Sequence, residues 1–305
     1  MAGECAGISY GPGDRIQAAG PAVYTHDANG NRLTQTGANP TTFTYDYLNR
    51  LTSAAAGGAN VQYAYDGLGN RLVRTFNGVQ TRYVIDSNGR LPNMIAETDP
   101  TGKPSAYYIY GLGLAYKLLP DGETFTYHFD SRGSTIAVTN SRGGIVNQYS
   151  YGPYGERLAM SEGTHNPFGY VGRWGVMEEG DGLKYMRARF YDDTTGRFLN
   201  QDPLGFRAGV NPYVYCVNNP VNFIDPRGLQ EEFNEPITQW SYDDYCESTG
   251  GWEAPDPPSE EPQSPNGNYL LVYEVYDACP PCDSPNGCYW PKSSCNQPRT
   301  VCEVY

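Results

Sequence analysis

Apolar and polar positions alternate with a period of two in short runs, each closed by a turn and reopened by an Arg-Leu pair. The clearest runs are YTHDANGNRLTQ from Tyr24, FTYDYLNRLTS from Phe43 and YAYDGLGNRLVR from Tyr63. A period of two places alternate side chains on opposite faces of a strand. The Asp-to-Gly/Asn stretch between the strands accepts the positive φ that a tight hairpin demands. Aromatic heads recur at Tyr24, Phe43, Tyr63, Tyr83, Tyr107, Tyr127 and Tyr149, at intervals of 19, 20, 20, 24, 20 and 22 residues. The pattern predicts one hairpin per repeat, running from about residue 20 to 229 in one curved sheet with almost no helix. The heads should all point to one face.

A single hairpin cannot bury its apolar face, so neighbours must stack into a continuous sheet. Tyr suits such a surface, being large, amphipathic and strand-favouring. The repeat by itself also fits a propeller or a solid β-solenoid. Composition agrees with turn-rich β structure, with 36 Gly, 24 Pro and 27 Tyr and no long apolar run.

A different block follows the repeats. From Tyr185 the chain reads YMRARFYDDTTGRFLNQDPLG, and a strand-like run, Tyr213-Val214-Tyr215-Cys216-Val217, lies beyond it. Two Asp-Pro turns stand 23 residues apart, and the second closes as Asp225-Pro226-Arg227-Gly228-Leu229. Asp-Pro-x-Gly is a favourable type I turn, since Asp accepts at the first position, Pro presets φ at the second and Gly fits the fourth. One copy would be only a turn. Two copies flanking an aromatic run, after an Arg-aromatic-aromatic-Asp segment, form a specific signature. Asp192 and Asp193 begin a run that reads first as a turn.

Repeat and block together resemble the RHS/YD-repeat family, over roughly Tyr10 to Leu229. The resemblance implies an all-β fold in which YD-repeat hairpins spiral into part of a hollow shell, closed by a repeat-associated core. On that basis residues 1–166 are repeat hairpins and 167–229 the core, ending at a self-cleavage point. About seven hairpins are too few to enclose a cavity. The chain therefore reads as the C-terminal end of a shell, or a decayed or split remnant of one, with its beginning inside a longer array and an open sheet edge inviting another chain.

The chemistry of the core is that of paired carboxylates. An ionised Asp can activate water while a protonated neighbour polarises a carbonyl, because two close like charges cannot both ionise. Asp202 and Asp225 are the candidates, each able to project from the start of its turn. The resemblance implies the same pair, with cleavage between Leu229 and Gln230. Arg189, which matches the family's R-x-x-D arginine, could orient one carboxylate by a bidentate contact. The competing reading is that both aspartates only cap turns and Arg189 is a structural ion pair. No G-x-S-x-G nucleophile motif is present, and His26, His128 and His165 are scattered.

Composition changes sharply after Leu229. Residues 230–305 carry 14 Asp/Glu against Lys292 and Arg299, a net −12, whereas the first 229 carry −1. Residues 230–268 read as an acidic, Pro-rich linker. Residues 269–305 read as a Cys-rich module opened by the strand-like Tyr269–Tyr276. Cys246, Cys279, Cys282, Cys288, Cys295 and Cys302 are disulfide candidates, since so short a segment cannot stabilise itself by a core. Six cysteines allow 15 pairings, so connectivity is not readable. Zinc is the alternative, but the tail has no His and its Cys spacings match no zinc template. Cys5 and Cys216 are expected to stay free, Cys216 buried in its strand as a small hydrophobe.

In this family the tail is where a variable effector, often a toxin, is carried. Its charge opposes phosphate binding, so no nucleic acid partner is expected. No cofactor, metal or membrane span is expected either, and no signal peptide is visible. Two function classes follow. The first is a shell end that cleaves itself once, as an aspartyl-type autoprotease without turnover, and so separates a C-terminal effector. The second is a non-catalytic surface or envelope repeat protein whose sheet and Cys-rich end serve binding. Secretion or the cell surface fits both. The resemblance implies a further shell segment, or a cognate immunity or carrier protein, as partner.

Overall fold

A computed structural model of the protein describes residues 7–229 and two tail strands, Leu270–Val275 and Arg299–Val304. The chain forms two compact units, Met1–Ser241 and Tyr242–Tyr305. Among the described residues, sixteen strands from β1 (Ile8–Tyr10) to β16 (Arg157–Glu162) form one open antiparallel sheet in strict sequence order. The only helices in these residues are short 3-10 turns, and no described helix is long and apolar enough to cross a membrane.

Each repeat is built as its sequence dictates. In β5 (Thr41–Tyr45) Phe43 is buried while Thr42 and Thr44 face out, and β7 (Ala59–Tyr65) buries Tyr63 in the same way. A β-bulge recurs just before the turn, at Thr44/Tyr45, Ala64/Tyr65, His128/Phe129 and Ser150/Tyr151, adding twist at the same point of each hairpin. The repeat Asp then organises the turn. Asp46 Oδ1 accepts the N–H groups of Leu48 and Arg50, both at 2.9 Å, and Asp66 Oδ1 those of Leu68 (2.9 Å) and Asn70 (2.8 Å). The fourth residue, Asn49 or Gly69, sits at positive φ and returns its N–H to the Asp carbonyl. These are side-chain-mimicked turns of the kind Asp favours.

Six of the seven expected heads are buried on this face: Tyr24, Phe43, Tyr63, Tyr83, Tyr127 and Tyr149. The exception is Tyr107, 37% exposed, while Tyr108 is 1% exposed and takes its place in the core. Two tyrosines stand side by side, and a one-residue slip reverses every side chain.

The single-sheet expectation stops at Glu162. After it, β17 (Met177–Gly180), β18 (Leu183–Met186), β19 (Arg189–Asp192) and β20 (Arg197–Phe198) form a separate four-stranded sheet. This core segment packs on the aromatic face of the repeats, where Phe168, Tyr185, Phe190 and Leu199 share one apolar cluster with the heads. The strand expected at Tyr213–Val217 is absent: one bridge joins Val214 to Arg197, and Cys216, Val217 and Asn218 all take positive φ. Three successive left-handed residues cannot continue a strand. Cys216 is buried and unpaired, in a turn and not in a strand.

In the tail, Leu270–Val275 (β21) pairs antiparallel with Arg299–Val304 (β22), which sets Val272 opposite Cys302 along the backbone. The strand-like segment expected after Tyr269 lies here. Cys246, Cys279, Cys282, Cys288 and Cys295, and the 230–268 linker, lie outside the described residues.

Candidate functional site

The repeat arginines attach the core to the sheet. Arg32, 1% exposed, places Nη1 2.6 Å from Asp192 Oδ2 and donates its backbone N–H to Leu199 O at 2.9 Å. Arg71, equally buried, pairs with Glu179 and lies 4.1 Å from the centre of the Tyr185 ring. Asp192 thus does more than open a turn, and Asp193 pairs with the buried Lys184 at 2.5 Å. Pairing offsets much of the cost of burying these charges. The sequence reading saw these arginines as strand openers, because their partners stand more than a hundred residues away.

The docked core holds Arg189, Asp202 and Asp225, exposed 1%, 4% and 3%. Arg189 opens β19 after the two-residue loop Arg187-Ala188, where Arg187 takes φ +53. Its Nη2 lies 2.7 Å from Asp202 Oδ2 and 3.5 Å from Asp225 Oδ2. Two carboxylates therefore converge on one guanidinium nitrogen. Arg189 Nη1 donates to Pro212 O at 2.9 Å, and the guanidinium stacks 3.6 Å from the Phe198 ring centre.

Both aspartates sit at the head of the repeat-type turn. Asp202 Oδ1 accepts the Leu204 N–H at 2.8 Å, and Asp225 Oδ1 accepts that of Leu229 at 3.1 Å. Gly205 and Gly228 fill the positive-φ position, at +59 and +64, and donate to the Asp carbonyls at 3.0 and 3.2 Å. At Gly228 nothing larger fits, since a Cβ would lie 2.3 Å from Met186 O. The closing turn lies along the β18–β19 loop as a ladder. Arg187 Nη1 donates to Pro226 O (2.5 Å), the Ala188 N–H to Arg227 O (3.0 Å) and Arg189 Nε to Gly228 O. The Gly228–Leu229 peptide unit is consequently held at both ends, its carbonyl by Arg189 and its N–H by Asp225.

Burial pushes the Asp225 carboxyl up to about 7, against the opposing pull of Arg189 and the Leu229 N–H. Its Oδ2 accepts no hydrogen bond among the described residues, leaving that oxygen able to carry the proton. Burial also brings Arg189 down to about 10, opposed by both aspartates, so it remains a cation at neutral pH. Burial raises the Cys216 thiol well above its usual value, with Asp225 adding to the effect. Such a pair, one carboxyl protonated near neutrality and one beside a fixed cation, has the ingredients of acid–base attack on a peptide bond.

Of the residues singled out from sequence, the structure brings together Arg189, Asp202, Asp225 and Leu229. Gln230 lies outside the described residues. Arg187 was missed, although the Arg187-Ala188-Arg189 spacing around a hairpin loop was the signal. Among the described residues no cluster of His, Cys, Asp and Glu could hold a metal.

Residues 2–221 match the teneurin YD-shell family. The tRNA3(Ser)-specific nuclease WapA of Bacillus spizizenii is 34% identical over 215 residues, 67% of this chain and 9% of that protein. The double-stranded DNA deaminase toxin A of Burkholderia cenocepacia is 30% identical over 255 residues, 72% of this chain and 18% of that protein. Among solved structures, the crystal structure of TcdB2-TccC3-Cdc42 superposes with a TM-score of 0.52 at 21% identity, covering 67% of this chain and 11% of that one. The chain thus spans under a fifth of the length of each of these proteins.

Proposed function

The chain belongs to the YD-shell family, the RHS/YD-repeat proteins, and from that premise we propose that it is the end of a shell that cleaves itself after Leu229 and so separates a variable C-terminal effector. The observation that carries this reading is the convergence of Asp202 and Asp225 on Arg189, beside a peptide unit gripped by two of the three. Asp202, next to the guanidinium, takes a proton from water. Asp225, protonated, donates from Oδ2 to the carbonyl of Leu229. Water oxygen bonds to that carbon, the C–N bond to Gln230 breaks as the leaving nitrogen takes the proton held by Asp202, and the new carboxyl group returns to Asp225 the proton it had lent. Both carboxylates belong to the reacting chain, so orientation can supply a large part of the rate, up to about 7–11 kcal/mol of barrier.

Two relatives named as a nuclease and a deaminase toxin support a shell that carries different effectors. The tail of this chain has no catalytic constellation of its own that its sequence reveals. A secreted or surface location, a further shell segment as partner and a cognate immunity or carrier protein belong to the same proposal, as does a disulfide-stapled tail. The test is the intact mass of purified, folded protein. Two fragments meeting at Leu229/Gln230, and a single chain for Asp202→Asn and Asp225→Asn, support self-cleavage. A wild type that stays whole and matches both variants makes the site a pair of turns.

A further inference from the structure

Beside Leu229 the structure opens a cavity of about 430 Å³, within the range of ligand sites. Its walls carry five arginines, Arg50, Arg90, Arg187, Arg189 and Arg227, of which Arg50 is paired with Asp46 and Arg189 with Asp202. Two apolar tips of neighbouring hairpins, Leu48 and Leu68, complete it while 54% and 83% exposed to solvent.

Arg187 sharpens the point. Its guanidinium donates to the carbonyls of Pro92 (2.9 Å), Trp174 (2.8 Å) and Pro226 (2.5 Å), all neutral acceptors. No carboxylate lies within ion-pairing distance of it among the described residues. Every other core cation described above has a carboxylate partner, so this one leaves positive charge in excess at the cavity.

We propose that the cavity is the docking site for the chain's own next four residues, Gln230-Glu231-Glu232-Phe233, which keeps the tail attached to the shell after the backbone is cut. The segment begins at Leu229, itself part of the wall. Four extended residues reach up to about 14 Å. Its two carboxylates answer the positive charge that Arg187 leaves in excess, and Phe233 answers the leucine tips. Retention after cleavage rests on the self-cleavage reading; docking does not.

The test uses the full chain with Phe233→p-benzoylphenylalanine, irradiated and mapped by mass spectrometry, with a denaturing gel of the same sample reporting cleavage. Docking predicts intramolecular cross-links to residues 48–51 and 65–70, reduced at least tenfold by Leu68→Asp, an exposed change that leaves the core untouched. Glu231→Arg with Glu232→Arg should reduce them similarly. If the chain is cut, the tail should co-elute with the shell on a sizing column in low salt and separate in 1 M salt. Cross-links elsewhere, between two copies, or unchanged in Leu68→Asp overturn docking, whatever the gel shows. Mapped cross-links in an uncut chain uphold docking and reject self-cleavage. A cut chain whose tail separates in low salt, without those cross-links, upholds cleavage and rejects docking.

Discussion

At Asp46 and Asp66 one carboxylate oxygen gathers two backbone N–H groups in a turn open to solvent; at Asp202 and Asp225 the same turn is buried against an arginine. Burial acts to raise the carboxyls of Asp46 and Asp66, but the hydrogen bonds each accepts outweigh it and leave both below their ordinary value. At Asp225 burial wins, and the carboxyl moves up to about 7. One backbone motif thus yields a carboxylate held in its ionised form in one setting and a carboxyl that keeps its proton toward neutral pH in the other. What differs is water.

The largest expected effect breaks the comparison at its chemical end. Asp202→Asn or Asp225→Asn should abolish cleavage while leaving the fold intact, and Asp66→Asn should leave cleavage unchanged, by intact mass. Arg189→Ala should slow it. For wild type the rate should fall about tenfold per pH unit above roughly 7, as Asp225 loses its proton. Stability should carry opposite signs in the two regions. Asp225 binds a proton more tightly folded than unfolded, so its contribution is full below about pH 4 and is lost as pH rises through about 7. The depressed carboxyls of Asp46 and Asp66 contribute above about pH 4 and lose it as pH falls. Denaturant midpoints from pH 4 to 8, with and without Asp225→Asn, measure both arms.

Next come the anchors between the two regions. Asp192→Asn leaves Arg32 buried without its charge partner and should cost about 3–5 kcal/mol in urea unfolding, against less than about 1 kcal/mol for the half-buried surface pair in Asp46→Asn. The turn glycines offer a smaller contrast. Gly69→Ala meets no atom within 4 Å and pays only for its positive φ, about 1 kcal/mol. Gly228→Ala adds the clash with Met186 O and should cost about 2–4 kcal/mol. The smallest change is a gain: Val217, 60% exposed at φ +45, should stabilise by about 1 kcal/mol as Val217→Gly, seen as a raised thermal midpoint.

The repeats were legible because their determinants are local. Alternation picks the face, and each Asp finds its partners within four residues of itself. Legibility failed at Tyr107, where two adjacent aromatics compete for one inward position and only the register with β10 (Asn93–Thr98) decides between them. It failed at Tyr213–Val217, where alternation suggests a strand but among the described residues a single bridge, Val214 to Arg197, is formed. It failed for Arg32 and Arg71, whose partners are 160 and 108 positions away. Asp202 and Asp225 were readable as a pair from their two Asp-Pro turns, and Arg189 joined them through the family resemblance. Arg187 was marked locally only by its place beside Arg189 across a tight loop, and the carbonyls it holds, at Pro92, Trp174 and Pro226, are contributed by other segments.

The buried pairs Arg32–Asp192 and Arg71–Glu179 also impose an order on assembly. A ribosome delivers the repeat hairpins long before residues 179 and 192, and until then both guanidinium groups keep their water. The aromatic face can dry only when the last third of the described chain arrives to neutralise them. The carboxylate pair, seated on that same late segment, is therefore completed only after the wall behind it stands. The connection to the tail cannot be addressed by these side chains on a half-made sheet.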